Sequence, residues 1–98
     1  MAGRLRYLLT YDIRDPKRLR RVHKLAKAWG DPLQYSVFVC DLTKVELVEM
    51  RSDLIGLMNL DEDSVSFFDL GPPDGRGLKC IEFIGTRRGL PDASAQIW

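Results

Sequence analysis

Asp12 is the residue whose type and setting could carry chemistry. It ends an apolar, strand-forming run, Tyr7-Leu-Leu-Thr-Tyr11, and three residues later Asp15-Pro16 opens a segment dense in positive charge. Lys17, Arg18, Arg20, Arg21, Lys24 and Lys27 put six basic residues into eleven positions, with Arg14 just ahead of them. A carboxylate at a strand end, beside a helix N-terminus and a row of arginines, suits a divalent cation and a phosphate. One carboxylate alone is a weak Mg²⁺ site, because that ion keeps most of its waters and needs further oxygens. Two copies related by a twofold axis near the strand end would set Asp12 against Asp12, holding one ion between them while arginines steady a scissile phosphate. Without that symmetry Asp12 is a strand-end cap.

Other catalytic schemes find no footing. The single histidine, His23, falls on the solvent arc of its helix, so a Ser/His/Asp or Cys/His triad has no centre. The glycines of 71–77 follow a strand, but neither a Lys-Ser/Thr pair nor a helix follows them. They mark a hairpin turn rather than a phosphate loop. Cys40 and Cys80 lack metal-ligand spacing and sit in strand-like runs, as buried free thiols of a reducing cytoplasm do. No run approaches the roughly 20 apolar residues of a membrane span, and no signal peptide precedes Arg4. A cytoplasmic protein without membrane contact is expected.

The elements that position Asp12 can be read in order. Residues 5–12 form a first strand with little alternation, as suits a central strand. Asp15 caps a helix from about 16 to 29, with Pro16 in its first turn. At 100° per residue Leu19, Val22, Leu25, Ala26 and Trp29 share one arc, and Lys17, Arg20, Arg21, His23, Lys24 and Lys27 the opposite one. Arg18 lies on the apolar arc, either snorkelling to its edge or turned back toward Asp12 or a phosphate. Gly30 ends the helix, and residues 33–42 are one bent strand or two short ones. Thr43 and Glu46 form a capping box for a second helix, on which Leu47, Val48, Leu54, Ile55 and Met58 share an arc. Asn59 and Asp61-Glu62-Asp63 form its exit loop. Residues 64–70 are a strand, 71–77 a turn, and 78–85 the strand completing a hairpin.

This order, β-α-β-α-β-β, predicts one α+β domain over residues 1–98, a ferredoxin-like sandwich with two helices on one face of an antiparallel sheet. Its size and open sheet face favour a homodimer through that face. Residues 86–98, a tail or strand ending Ile97-Trp98, would pack on the dimer mate.

The formal charge of +1 hides a division along the chain. Residues 1–30 carry nine Lys/Arg against Asp12 and Asp15, giving +7, and residues 31–98 carry six against twelve acids, giving −6. A basic face directed at an anionic partner follows.

The motif Leu8-Leu-Thr-Tyr-Asp12-Ile-x-Asp-x-Lys-Arg18-x-Arg-Arg-Val22, then Gly30, then Gln34-x-Ser36-Val37-Phe38, resembles the small CRISPR-associated adaptation protein, the endoribonuclease family that partners the adaptation integrase. The likeness covers about residues 5–70. It implies a ferredoxin-like homodimer, and Mg²⁺ bound by Asp12 near the dimer axis as metal ligand and catalytic residue. Tyr11, Ser36 and Phe38 would shape the site. It further implies nuclease action on single-stranded RNA or DNA, and a scaffold role between two integrase dimers. There Arg14, Lys17, Arg18, Arg20, Arg21, Lys24 and Lys27 would hold duplex spacer DNA by its backbone. Two positions depart from the pattern: Val39 stands where many relatives carry Glu, and Pro32 where many carry a basic residue. Outside the resemblance, a non-catalytic ferredoxin-like RNA-binding module would need exposed sheet aromatics, for which Phe67, Phe68 and Phe83 are available.

Overall fold

The computed structural model describes residues 3–85. In chain order these form β1 (Leu5–Asp12), α1 (Pro16–Trp29), β2 (Asp31–Gln34), β3 (Val37–Leu42), α2 (Lys44–Leu57), β4 (Ser64–Gly71) and α3 (Arg76–Lys79). The strands make one antiparallel sheet in the order β2-β3-β1-β4. β1 is central, pairing with β3 on one side and β4 on the other. With α1 and α2 packed on one face, this is the expected ferredoxin-like α+β sandwich. The stretch 33–42 is two strands, parted by a turn at Tyr35–Ser36. That turn stays tied to the sheet, because the Tyr11 amide donates to the Ser36 carbonyl at 3.2 Å.

Alternation sorts β1 into two faces. Tyr7, Leu9 and Tyr11 join Phe38, Cys40 and Leu42 of β3 in a core closed by Val22 and Ala26 of α1 and Met50 and Leu54 of α2. Arg6, Leu8, Thr10 and Asp12 belong to the other face. Leu8 is paired there with Val39 and with Phe68, which is half exposed.

Both helix starts follow from local chemistry. The Asp15 carboxylate accepts from the Arg18 amide at 2.9 Å, with Pro16 in the first turn. Thr43 and Glu46 complete the capping box, each side chain accepting from the other's backbone N–H. Gly30 closes α1 in extended backbone rather than the left-handed conformation, its N–H on the Ala26 carbonyl. Glycine is needed there for space, since a Cβ would stand 2.4 Å from the Val39 carbonyl oxygen and 2.5 Å from Cys40 Sγ.

Three expectations are corrected. On α2 the arc facing the core is Leu47, Met50, Leu54, Leu57 and Met58, whereas Val48 and Ile55 are 63% and 54% exposed. Apolar residues run nearly all round α2, so its angles allow more than one arc, and tertiary packing chooses. Second, residues 78–85 form no strand. Gly71, at φ +87°, turns the chain, residues 76–79 coil into α3, and 80–85 have no regular structure. The reason is an anchor: the Gly77 carbonyl accepts from Arg6 Nη1 at 3.1 Å, holding this segment against β1 instead of returning it along the free edge of β4. Third, Cys80 lies exposed after α3, so only Cys40 is the buried thiol expected. Residues 86–98, with the proposed tail, lie outside the described span. Among the described residues no helix is long and apolar enough to cross a membrane.

Candidate functional site

Asp12 sits at the last position of β1, opposite Ser64 of β4, on the sheet face away from α1 and α2. It is exposed, and among the described residues its carboxylate makes no hydrogen bond or ion pair. Tyr11, one residue earlier, points the other way into the core, its ring 6.2 Å from that of fully buried Phe38. Of the three residues expected to shape the site, Tyr11 and Phe38 therefore support the strand end from behind. Ser36 does so through its backbone carbonyl.

The segment following Asp12 is held by a buried carboxylate. Asp63 accepts from the Arg14 amide at 2.9 Å, from the Asn59 amide at 2.9 Å and from Arg18 Nε at 2.8 Å. The Arg18 fork also reaches Asp63 Oδ1 at 3.2 Å and Glu62 at 2.9 Å. The Arg18 guanidinium, then the two backbone donors, hold the Asp63 carboxyl well below the usual carboxylate range, against the opposing effect of burial. Arg18 thus turns neither to Asp12 nor to solvent. It locks α1 to the α2 exit loop.

Two further N-terminal arginines are neutralised by the acidic half of the chain. Arg6, fully buried, places Nε and Nη2 on the two Asp41 carboxylate oxygens at 2.8 and 2.9 Å. Arg4 pairs with Glu46. The remaining cations of residues 1–30, Arg14, Lys17, Arg20, Arg21, Lys24 and Lys27, are all exposed. The five on α1 span an arc of about 120°. What faces outward is one basic strip.

His23 departs from its expected place on the solvent arc. Its Nδ1 lies 2.9 Å from the Tyr11 hydroxyl and 3.0 Å from the Tyr35 carbonyl oxygen, to which that hydroxyl also donates at 2.9 Å. Burial, and then Tyr35, push the Tyr11 phenol up to about 12, so it stays a donor. Among the aromatics considered for base stacking, Phe67 packs edge-on against Tyr7 at the core, and Phe83 is half-buried. Only Phe68 is open on the sheet. Sequence reasoning missed Asp63, Asp41 and Tyr35. The one signal available was Arg18 itself, since an arginine on an apolar arc calls for an anion.

The family model described as CRISPR associated protein Cas2 matches residues 5–74. The chain belongs to the Cas2 family. It is 46% identical over 89 residues to the CRISPR-associated endoribonuclease Cas2 2 of Thermodesulfovibrio yellowstonii, covering 91% of this chain and 92% of that one. It is 40% identical over 79 residues to the CRISPR-associated endoribonuclease Cas2 1 of Rhodospirillum rubrum, covering 81% and 76%. Among solved structures, Streptococcus pyogenes Cas2 at pH 6.5 superposes with a TM-score of 0.71 at 34% identity, covering 82% of this chain and 99% of that one. The hypothetical protein TT1823 from Thermus thermophilus superposes with a TM-score of 0.74 at 27% identity, covering 86% and 94%. Matched residues 5–74 of this Cas2-family chain include Asp12, the basic strip and the Asp63 lock.

Proposed function

We propose that this Cas2-family protein is a cytoplasmic subunit of CRISPR spacer acquisition, a homodimer that grips nucleic acid by its backbone and bridges the adaptation integrase. The observation that carries the reading is the set of six exposed cations, five of them in a strip along α1, left after Arg4, Arg6 and Arg18 find acidic partners within the chain. Exposed cations on one helix face suit duplex phosphates, whose neutralisation gives affinity without reading sequence.

Metal-dependent cleavage is a second activity of the same dimer. Among the described residues no group of three or more His, Cys, Asp or Glu is gathered for a metal, and Asp12 supplies one exposed carboxylate. Mg²⁺ accepts one or two protein carboxylates and fills its other positions with water and phosphate oxygens, so Asp12 from each of two copies fits it. The placement of Asp12 on the sheet face opposite α1 and α2, which further along β1 carries Leu8 and half-exposed Phe68, supports a dimer that brings the two carboxylates together. When bound, Mg²⁺ would activate water and offset charge on the phosphate. The chain's own contribution is to hold Asp12 on a fixed mount, while Arg14 and the strip position the backbone.

Purified wild type and Asp12→Ala, each given labelled RNA and duplex DNA with Mg²⁺ or EDTA, test both activities. Duplex binding should survive Asp12→Ala, whereas metal-dependent cleavage should vanish with the dimer intact. Wild type without duplex affinity overturns the scaffold reading. Cleavage persisting in Asp12→Ala overturns the assignment of the metal.

A further inference from the structure

Tyr35 occupies the β2–β3 turn and is 55% exposed. An exposed turn tyrosine ordinarily swings among rotamers, but this ring lies flat against the His23 imidazole, with centroids 4.1 Å apart and planes 10° apart. The imidazole is itself fixed on two more sides. Its edge meets the Phe38 ring at 5.4 Å and 70°, and its Nδ1 reaches the Tyr35 carbonyl. Because a carbonyl can only accept, Nδ1 carries a proton in that bond, and the Tyr11 hydroxyl donates to the same oxygen. Two hydrogen-bonding groups at its carbonyl and one stacked ring, itself backed by Phe38, thus brace Tyr35 from one side, while its exposure leaves the other to solvent.

The surroundings suit one kind of ligand. Arg20 lies three residues before His23 and Lys27 four after it, spacings that put all three on one face of α1. Both cations are exposed. A rigid aromatic face bordered by cations matches a single strand, whose unpaired bases stack while its phosphates meet the cations. A duplex keeps its base faces buried against one another and cannot use such a surface. We propose that Tyr35, backed by His23 and flanked by Arg20 and Lys27, is a stacking platform for an unpaired base of single-stranded nucleic acid. The proposal rests on the backbone-gripping reading above and extends it to unpaired overhangs or RNA.

The test uses fluorescence anisotropy with oligo(U), oligo(dT), a blunt duplex and the same duplex bearing a single-stranded overhang. Wild type, Tyr35→Ala and Tyr35→Trp are compared, with far-UV circular dichroism and melting to confirm folding. Tyr35→Ala should lose about tenfold in affinity for the single strands and the overhang duplex. It should bind the blunt duplex as wild type does, and Tyr35→Trp should restore single-strand binding. A loss confined to oligo(U) identifies RNA as the source of the base, and a loss on both single strands identifies any unpaired base. Equal binding of single strands by wild type and Tyr35→Ala overturns the platform, as does an equal loss on the blunt duplex. If wild type binds the blunt duplex but no single strand, the platform falls and the scaffold reading stands. If it binds neither, both fall.

Discussion

Among the described residues, three N-terminal cations pair with acids and six are exposed without an ion pair, a division that predicts how salt acts on duplex binding. Each phosphate neutralised adds about −0.9 to the slope of log K against log salt, so six contacts give a slope near −5 per protomer. Between about 50 and 200 mM salt that slope lowers affinity by roughly a thousandfold. Arg21→Gln and Lys24→Gln together remove two exposed cations and should make the slope shallower by about 2. Arg18→Gln removes the same kind of charge, but its guanidinium sits on Asp63 and Glu62, so the slope should stay where it was. Anisotropy titrations of one labelled duplex across the salt series read all three slopes, with melting curves confirming that each variant is folded at the working temperature. The reasoning is refuted if Arg18→Gln flattens the slope by about 1, the effect of one phosphate contact, or if the double variant leaves it unchanged.

Other expectations concern stability and reactivity. The Asp63 carboxyl is held low in the folded state, so its contribution to stability is present above the ordinary aspartate range near pH 4 and is lost as pH falls below it. Urea midpoints followed downward from neutrality should therefore drop less steeply for Asp63→Asn, which starts from a lower plateau; parallel curves would sink the idea. Gly30→Ala drives a Cβ into the Val39 carbonyl and Cys40 Sγ and should cost about 1–3 kcal/mol in urea denaturation. Burial, then Asp41 and Asp31, push the Cys40 thiol up to about 12, whereas Cys80 is exposed. A thiol reagent at mildly alkaline pH should label Cys80 rapidly and Cys40 only after denaturation; prompt labelling of both would contradict that burial.

What the sequence made legible was local. Asp15-Pro16, the Thr43–Glu46 box and the run of strand formers ending at Asp12 act within one turn or one strand, and each element they mark is present. The basic strip was visible too, since helical angles depend on no distant partner. What escaped was set by contacts across the chain. Arg18 meets Asp63 over 45 positions and Arg6 meets Asp41 over 35, and spacing cannot choose one acid among twelve. His23 left the solvent arc because Tyr11 and the Tyr35 carbonyl, from two other elements, offered it better company than water. The returning strand at 78–85 failed for a similar reason, since the Arg6–Gly77 anchor outweighs a pattern that is merely compatible with pairing.

The Asp63 lock has a consequence for recognition. The peptide leaving Asp12 is fastened at Arg14, at Arg18 and, through Asn59, to the end of α2 before any ligand arrives. The entropy of ordering that loop is therefore lost once, during folding, and not again at each encounter with a nucleic acid. An acidic residue remote in sequence from every proposed nucleic-acid contact would thereby govern preorganisation, and its loss would appear as slower, looser capture even at a temperature where the fold survives.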